Sequence, residues 1–250
     1  MKQDNMPKRH KGIYILPNFF TSMNIFCGFY AIVAAIDSKF EVAAIAILVA
    51  MVFDILDGKI ARITNTTSQF GIEYDSLADV ISFGLAPGLL VYLWTLRPLG
   101  RLGWLAAFLY AVCGALRLAR FNSKADTNPS PHFTGLPIPG GAAINATTVL
   151  FCLEFSDKFT LSPKIFVVML FAVSFLMVST IEYNSFKKFE LLKRINFNSL
   201  VSAILIFVFI AVNPQSALFL VTFTYVLSGP FNLIKKSIRR NAEDKVETHN

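Results

Sequence analysis

Charged side chains are scarce in this sequence. Asp, Glu, Lys and Arg make up 16% of its 250 residues, whereas a typical soluble domain carries about 25%. The chain also contains only three cysteines and three histidines, without the CxxC or Cys/His spacing of a zinc site or a disulfide framework. These shortages argue against an ordinary soluble domain, a structural zinc module and a disulfide-stapled scaffold.

Apolar residues are abundant instead. They make up 54% of the chain, and the mean hydropathy is +0.56. They occur in runs of about 20 residues, the length at which a helix crosses a bilayer. We therefore predict an all-α fold, a polytopic transmembrane helical bundle of about eight spans, with six spans as the alternative. The predicted spans are 14–36, 40–61, 72–96, 102–121, 136–155, 163–182, 197–212 and 215–234.

The basic residues predict how these spans are oriented. With the N-terminus in the cytoplasm, 18 of the 23 Lys and Arg residues fall on the cytoplasmic side and 5 on the outer side. Cytoplasmic loops of membrane proteins carry an excess of Lys and Arg, so we predict that both termini are cytoplasmic. These flanking residues explain the net charge of +7, and binding to nucleic acid is not expected. The predicted location is the cytoplasmic membrane of the cell, as a multi-pass protein among membrane lipids.

Four aspartates interrupt the second and third apolar spans. Asp54 and Asp57 lie near the end of the second span, and Asp75 and Asp79 lie near the start of the third. An acidic side chain at the centre of a membrane helix costs about 2.5–3.5 kcal/mol, so such residues indicate a function. Asp54 and Asp57 are about 60° apart around a helix, and Asp75 and Asp79 are one turn apart. Two antiparallel helices can therefore bring the four carboxylates together at the cytoplasmic end of the bundle.

Four neighbouring carboxylates repel one another unless cations neutralise them. A set of oxygen ligands favours a hard cation, so we predict a divalent metal cofactor, Mg²⁺ or Mn²⁺. Two ions about 3.5–4 Å apart would clamp a phosphoryl group, and Arg62, just beyond Asp57, is suited to bind a phosphate. The alternative is a divalent-cation transporter, which would not account for the Gly, Ala and Arg residues that accompany the acids.

The acids belong to a longer pattern, D-x₂-D-G-x₂-A-R-x₈-G-x₃-D-x₃-D. This pattern resembles the signature of the CDP-alcohol phosphotransferases, and all eight of its specified positions are present. The resemblance implies that the four aspartates hold the metals, that Asp79 deprotonates the acceptor alcohol, and that the protein is a homodimer. It further implies a CDP-binding set formed by Asp57, Gly58, Ala61, Arg62, Gly71 and Asp75.

The acceptor alcohol has to be predicted from segments outside this signature. Residues 17–28, 75–87, 115–122 and 133–139 resemble the phosphatidylserine synthase branch of the family, which implies CDP-diacylglycerol as donor and L-serine as acceptor. Arg117 and Arg120 are spaced i, i+3 and could bind the serine carboxylate and a phosphate, with Asn122 or Thr134 adding hydrogen bonds. Ordinary anchoring at the cytoplasmic face is the alternative for both arginines. Glycerol 3-phosphate, inositol phosphate or an amino alcohol remain alternative acceptors.

These patterns divide the chain into four predicted parts. Residues 1–13 form a basic cytoplasmic N-terminus, and residues 14–182 form the catalytic membrane domain. Residues 183–234 contain two additional C-terminal spans, and residues 235–250 form a polar cytoplasmic tail.

Overall fold

The computed structural model describes residues 15–64, 66, 68–125, 133–156, 161–183 and 212–247. Within these ranges the chain is helical apart from one short antiparallel pair of strands, β1 (Phe133–Thr134) and β2 (Glu182–Tyr183). The helices are α1 (Ile15–Ile36), α2 (Phe40–Ile63), α3 (Gln69–Asp79), α4 (Ala86–Val91), α5 (Arg101–Ala125), α6 (Ile138–Glu154), α7 (Pro163–Val178) and α8 (Pro214–Glu247).

Helices with the length and composition of membrane spans are present, as predicted. Among the described residues, four helical stretches are long and apolar enough to cross a bilayer: Leu16–Ile36, Gln69–Leu99, Arg101–Ser123 and Pro214–Leu233. Helix α2 has 24 residues, which is sufficient length, but the acids of the pattern lower its apolar character. Helices α6 and α7 are apolar but shorter, with 17 and 16 residues. Residues 197–211 of the seventh predicted span lie outside the described residues, so the count of eight and the orientation of the termini stay predictions.

Helices α1 and α2 form an antiparallel hairpin. A tight connection joins them, in which Ser38 has a positive φ of 61°. The facing surfaces carry small residues that are almost fully buried, including Ala31 and Ala35 on α1 and Ala43 and Ala50 on α2. Small side chains let helix backbones approach closely, which is how helices associate in a bilayer. This close packing sets the distance between α1 and the acids of α2.

The third predicted span is one continuous helical run from Gln69 to Leu99, but its geometry changes along its length. A π-helical segment, Val80–Leu85, directly follows Asp79, and a second one covers Tyr92–Leu96. Such segments insert an extra residue per turn and are frequent at functional sites. The first segment brings Ser82 against Gly28 of α1, where a Cβ atom would overlap Ser82 Oγ.

The ends of α7 and α8 differ from the predicted bounds. Helix α7 ends at Val178, not at residue 182, because the chain turns there to pair with the segment before α6. The Gly135 N–H donates to the Ile181 carbonyl at 2.8 Å, and the φ of +82° at Gly135 requires a glycine, since a Cβ atom would overlap the Met177 carbonyl oxygen. Helix α8 continues to Glu247, well beyond the predicted end at residue 234.

Helix α8 runs antiparallel to α6. Thr222 and Thr147 face each other with their hydroxyl oxygens 2.8 Å apart, and the rings of Phe219 and Phe151 stack with centroids 4.7 Å apart. Further along α8, the Tyr225 ring lies against Gly140 near the start of α6. The later part of α8 therefore reaches the end of the bundle where α6 begins, α7 ends and the acids lie.

Candidate active site

The four aspartates of the pattern meet between α2 and α3. One carboxylate oxygen from each of Asp54, Asp57 and Asp75 lies within 4.8 Å of the other two. The Asp79 carboxyl group contacts that of Asp54 at hydrogen-bond distance. Asp57 and Asp79 are buried, with 4% and 7% of their surface exposed, although both are acids. The two stripes of carboxylates expected from helical spacing therefore face each other.

Helix α1 supplies polar groups behind these acids. The Thr21 hydroxyl donates to Asp57 Oδ2 at 2.8 Å, and Asn24 Nδ2 lies 3.5 Å from Asp79 Oδ1, at the limit of hydrogen bonding. The backbone carbonyl of Asn24 accepts a hydrogen bond from Ser82 Oγ at 2.9 Å. Outer partners of this kind fix the orientation of a ligating carboxylate. Asp57 and Asp79 are thus oriented by residues outside the acidic pattern.

The cluster fits a divalent cation in three respects. All of its ligand atoms are carboxylate oxygens, the donors that Mg²⁺ and Mn²⁺ prefer. Asp75 Oδ1 is buried and has no hydrogen-bond partner among the described residues. The contact between the Asp54 and Asp79 carboxyl groups requires a proton or a cation between them. Within the same part of the chain, no Lys or Arg forms an ion pair with any of the four acids.

A cleft of about 150 Å³ opens beside the acids, between α1, α2 and α3. Among the described residues, a Cβ atom at Gly58 would find only Arg62 Nη2 within 4 Å, at 3.8 Å, so the space beside Gly58 is open to that part of the chain. At the entrance to α3, Ser68 Oγ accepts a hydrogen bond from the Gly71 N–H at 3.0 Å and caps the helix. All six residues that the family resemblance implies for CDP binding line this one cleft: Asp57, Gly58, Ala61, Arg62, Gly71 and Asp75.

The four residues predicted to bind the acceptor are placed differently from one another. Arg117 is half-buried, within electrostatic range of Asp79. Arg120 Nη1 donates to the Val178 carbonyl at 3.2 Å and so links α5 to the end of α7. Asn122 Nδ2 donates to Ser76 Oγ at 2.9 Å, next to Asp75 in the chain. The side chain of Thr134, in β1, lies outside the described part of the structure.

A family model described as CDP-alcohol phosphatidyltransferase matches residues 14–178 of this chain. That stretch covers more than half of the sequence and includes the acids, the cleft and Arg117. The chain belongs to the CDP-alcohol phosphatidyltransferase family.

Several curated members of the family are similar over most of their length. A CDP-diacylglycerol–serine O-phosphatidyltransferase from Helicobacter pylori is 36% identical over 221 residues, which cover 87% of this chain and 90% of the relative. The enzyme with the same name from Bacillus subtilis is 36% identical over 173 residues, covering 69% of this chain and 92% of that protein. An archaetidylserine synthase from Methanothermobacter thermautotrophicus is 38% identical over 180 residues, covering 70% of this chain and 72% of that protein.

The sequence alone did not indicate that Thr21 and Asn24 contact the aspartates of the site. Their helical spacing does carry a signal: Thr21, Asn24 and Gly28 are spaced i, i+3 and i+7 and so share one face of an apolar helix. Their partners, however, lie more than 35 residues away in the chain. Helical periodicity can identify this polar face of α1 but not the helix that it contacts.

Proposed function

We propose that this protein transfers a phosphatidyl group from CDP-diacylglycerol to L-serine, producing phosphatidylserine and CMP. The observation that carries the donor half is the cleft, where six residues of the family pattern surround one open volume beside the acids. The acceptor half draws on the relatives, which are named for serine as acceptor and cover most of this chain.

The cleft has the chemistry to bind the CDP part of the donor. Gly58 and Ala61 leave room for a ligand to approach the α2 backbone, and Arg62 provides the planar, multiply donating group that binds phosphate well. The acyl chains of the donor would lie between helices in the bilayer. Asp54, Asp57, Asp75 and Asp79 would hold two divalent ions, Mg²⁺ or Mn²⁺, which when bound supply positive charge to the phosphoryl oxygens.

Asp79 is the residue suited to act as the general base. Its contact with Asn24 keeps the carboxyl group oriented, and its burial excludes water from it. In the reaction Asp79 takes the proton from the serine hydroxyl, and the serine oxygen forms a bond to the β-phosphorus, which bears the diacylglycerol. The bond between that phosphorus and the bridging oxygen breaks, and CMP leaves with that oxygen.

Arg117 is the best candidate for binding the serine carboxylate. The attacking and leaving oxygens lie roughly in line on opposite sides of the phosphorus in phosphoryl transfer. Arg62 lines the donor cleft, whereas Arg117 is not among its lining residues and lies within range of Asp79 instead. Arg117 is therefore a cation on the side of the base, where the acceptor has to enter. Arg120 and Asn122 already bind protein groups, so a structural role fits them better.

The membrane arrangement follows the same proposal. Because the sequence predicts that most Lys and Arg residues flank the spans on the side that carries the acids, the site would face the cytoplasm of a multi-pass membrane protein. A homodimer is part of the proposal through the family resemblance.

An acceptor panel tests this function. Purified protein in detergent is given CDP-diacylglycerol, Mg²⁺ or Mn²⁺, and one acceptor at a time: L-serine, glycerol 3-phosphate, inositol phosphate or ethanolamine. We expect CMP release that depends on serine and stops on chelation with EDTA. Release without any acceptor, or release fastest with glycerol 3-phosphate, would overturn the serine assignment. If no acceptor yields CMP, the divalent-cation transporter becomes the better hypothesis.

A further inference from the structure

The π-helical segment Val80–Leu85 lies between the acids of α3 and the rest of their helical run. It begins directly after Asp79, and such a segment inserts an extra residue into the helix. One extra residue rotates the helix before the segment by about 100° relative to the helix after it. The direction in which the Asp75–Asp79 face points therefore depends on whether the segment keeps its π-helical geometry.

One carbonyl of this segment lacks its α-helical partner for a reason that the sequence makes plain. In an α-helix the Phe83 carbonyl would accept a hydrogen bond from the N–H of residue 87, four positions later. Residue 87 is a proline, which has no N–H and whose ring clashes with that carbonyl in a regular α-helix. The Tyr110 hydroxyl of α5 donates to the Phe83 carbonyl instead, at 2.9 Å. Both side chains are fully buried, so an unpaired carbonyl would be costly at this position.

Two glycines let α5 come close enough for this hydrogen bond. A Cβ atom at Gly88 would lie 3.1 Å from the Ala107 carbonyl oxygen and 3.4 Å from Tyr110 Cδ1. A Cβ atom at Gly84 would lie 3.7 Å from the Ala111 carbonyl oxygen. Small residues at a helix contact allow such an approach of two backbones. The Tyr110 ring therefore packs directly on α4, with its hydroxyl at the π-helical segment.

The same segment is attached to α1 on its other side. Ser82 Oγ donates to the backbone carbonyl of Asn24 at 2.9 Å, and the Asn24 side chain lies 3.5 Å from Asp79 Oδ1. Helices α1 and α5 thus hold two consecutive residues of the segment, Ser82 and Phe83, by one hydrogen bond each. The contact through Asn24 links one of these attachments directly to the acids.

We propose that Tyr110 is a positioning residue that holds the π-helical segment in place and thereby turns the Asp75–Asp79 face toward the acids of α2. This inference rests on the proposed function, in which these acids bind the divalent ions. Tyr110 lies outside the eight-residue pattern. It would act through the backbone of the helix and would touch neither the metal nor the substrates.

Tyr183 provides a matched control, because it meets the same need in another helix. Its hydroxyl donates to the Val226 carbonyl at 3.1 Å, and residue 230, whose N–H would be the α-helical partner of that carbonyl, is the proline inside α8. A Cβ atom at Gly229 would overlap the Tyr183 ring, so a glycine admits the tyrosine here as well. Tyr183→Phe therefore removes the same kind of hydrogen bond from a helix that carries none of the four aspartates.

The test measures Mn²⁺ binding by isothermal titration without substrates, at a temperature where every variant is folded. Tyr110→Phe should bind Mn²⁺ roughly 10-fold more weakly, because the segment can then relax in the metal-free protein and the metal has to restore its geometry. Tyr183→Phe should bind Mn²⁺ within about twofold of the unmodified protein, and both variants should lower thermal stability. Unchanged Mn²⁺ affinity in Tyr110→Phe, or equal losses in the two variants, would overturn the proposal.

Asp75→Asn separates this inference from the proposed function. If Asp75→Asn binds Mn²⁺ as tightly as the unmodified protein, the acids are not the metal site and the proposed function fails, whatever Tyr110→Phe does. If Asp75→Asn weakens binding and Tyr110→Phe does not, only the role of Tyr110 fails. Should Tyr110→Phe not fold, Gly88→Ala displaces the same ring while keeping its hydroxyl. It should also weaken Mn²⁺ binding, and an unchanged affinity would overturn the proposal.

Discussion

Thr21→Val tests whether the Asp57 carboxylate has to be oriented by a neighbouring hydroxyl, because the substitution leaves Asp57 itself in place. Valine has nearly the shape of threonine, and Thr21 is almost fully buried, with 3% of its surface exposed. The change therefore removes the hydroxyl that donates to Asp57 Oδ2 at 2.8 Å without opening a cavity. Thr21 Oγ1 also lies 3.2 Å from the Pro17 carbonyl, but its single proton favours the shorter contact to a charged acceptor.

The expected size of the effect follows from that contact. A hydrogen bond to a charged group contributes about 1.5–3 kcal/mol, and removing an outer partner of a metal ligand typically weakens metal affinity or activity 10- to 100-fold. We therefore expect Thr21→Val to weaken Mn²⁺ binding by about 10-fold or more. Isothermal titration of purified protein with Mn²⁺ measures this directly, and the metal concentration needed for half-maximal CMP release should shift in parallel.

Thr21→Ser is the control, because serine keeps the hydroxyl and loses only a methyl group. It should bind Mn²⁺ nearly as tightly as the unmodified protein. If Thr21→Val binds Mn²⁺ within twofold of the unmodified protein and is equally stable, then Thr21 does not orient a ligand, and the role of Asp57 in metal binding would also be in doubt.

Three further predictions concern packing and the two arginines. Gly28→Ala places a Cβ atom on Ser82, and overpacking of this kind should reduce the free energy of unfolding by about 1–3 kcal/mol, measured by thermal denaturation in detergent. Among the described residues, Gly58→Ala meets no atom closer than 3.8 Å, so it should cause no loss of melting temperature and should raise the KM for CDP-diacylglycerol. A loss of stability without a change in KM would contradict the open cleft. Arg120→Ala should lose the hydrogen bond to the end of α7, which contributes about 1 kcal/mol to the free energy of unfolding, and should leave the KM for serine unchanged. Arg117→Ala should raise the KM for serine. Equal serine KM values in these two variants would refute the distinction between them.

Helical periodicity predicted the core of the site because its residues are close in sequence. Asp54 and Asp57 share one face of α2, Asp75 and Asp79 share one face of α3, and only a short connection separates the two helices. The pairing of the two faces then requires nothing beyond an antiparallel hairpin. The cleft follows from the same pairing, since Gly58 and Gly71 belong to these same faces.

The features that could not be predicted depend on contacts between distant segments. The π-helical segment after Asp79 accompanies the approach of Ser82 to Gly28 on α1, which no local pattern encodes. Helix α7 ends early because residues after it pair with the segment around Gly135, more than 40 residues before them. The position of Tyr225 against Gly140 depends on the antiparallel packing of α8 on α6, whose sequences lie far apart.

The measurement that tests the central claim most directly is the stoichiometry of the reaction, compared between the unmodified protein and Asp79→Asn. With CDP-diacylglycerol, radiolabelled L-serine and Mn²⁺, the account predicts one phosphatidylserine formed for each CMP released. It predicts that Asp79→Asn forms neither product while still binding CDP-diacylglycerol. Substantial turnover by Asp79→Asn, or CMP released without an equal amount of phosphatidylserine, would contradict the account.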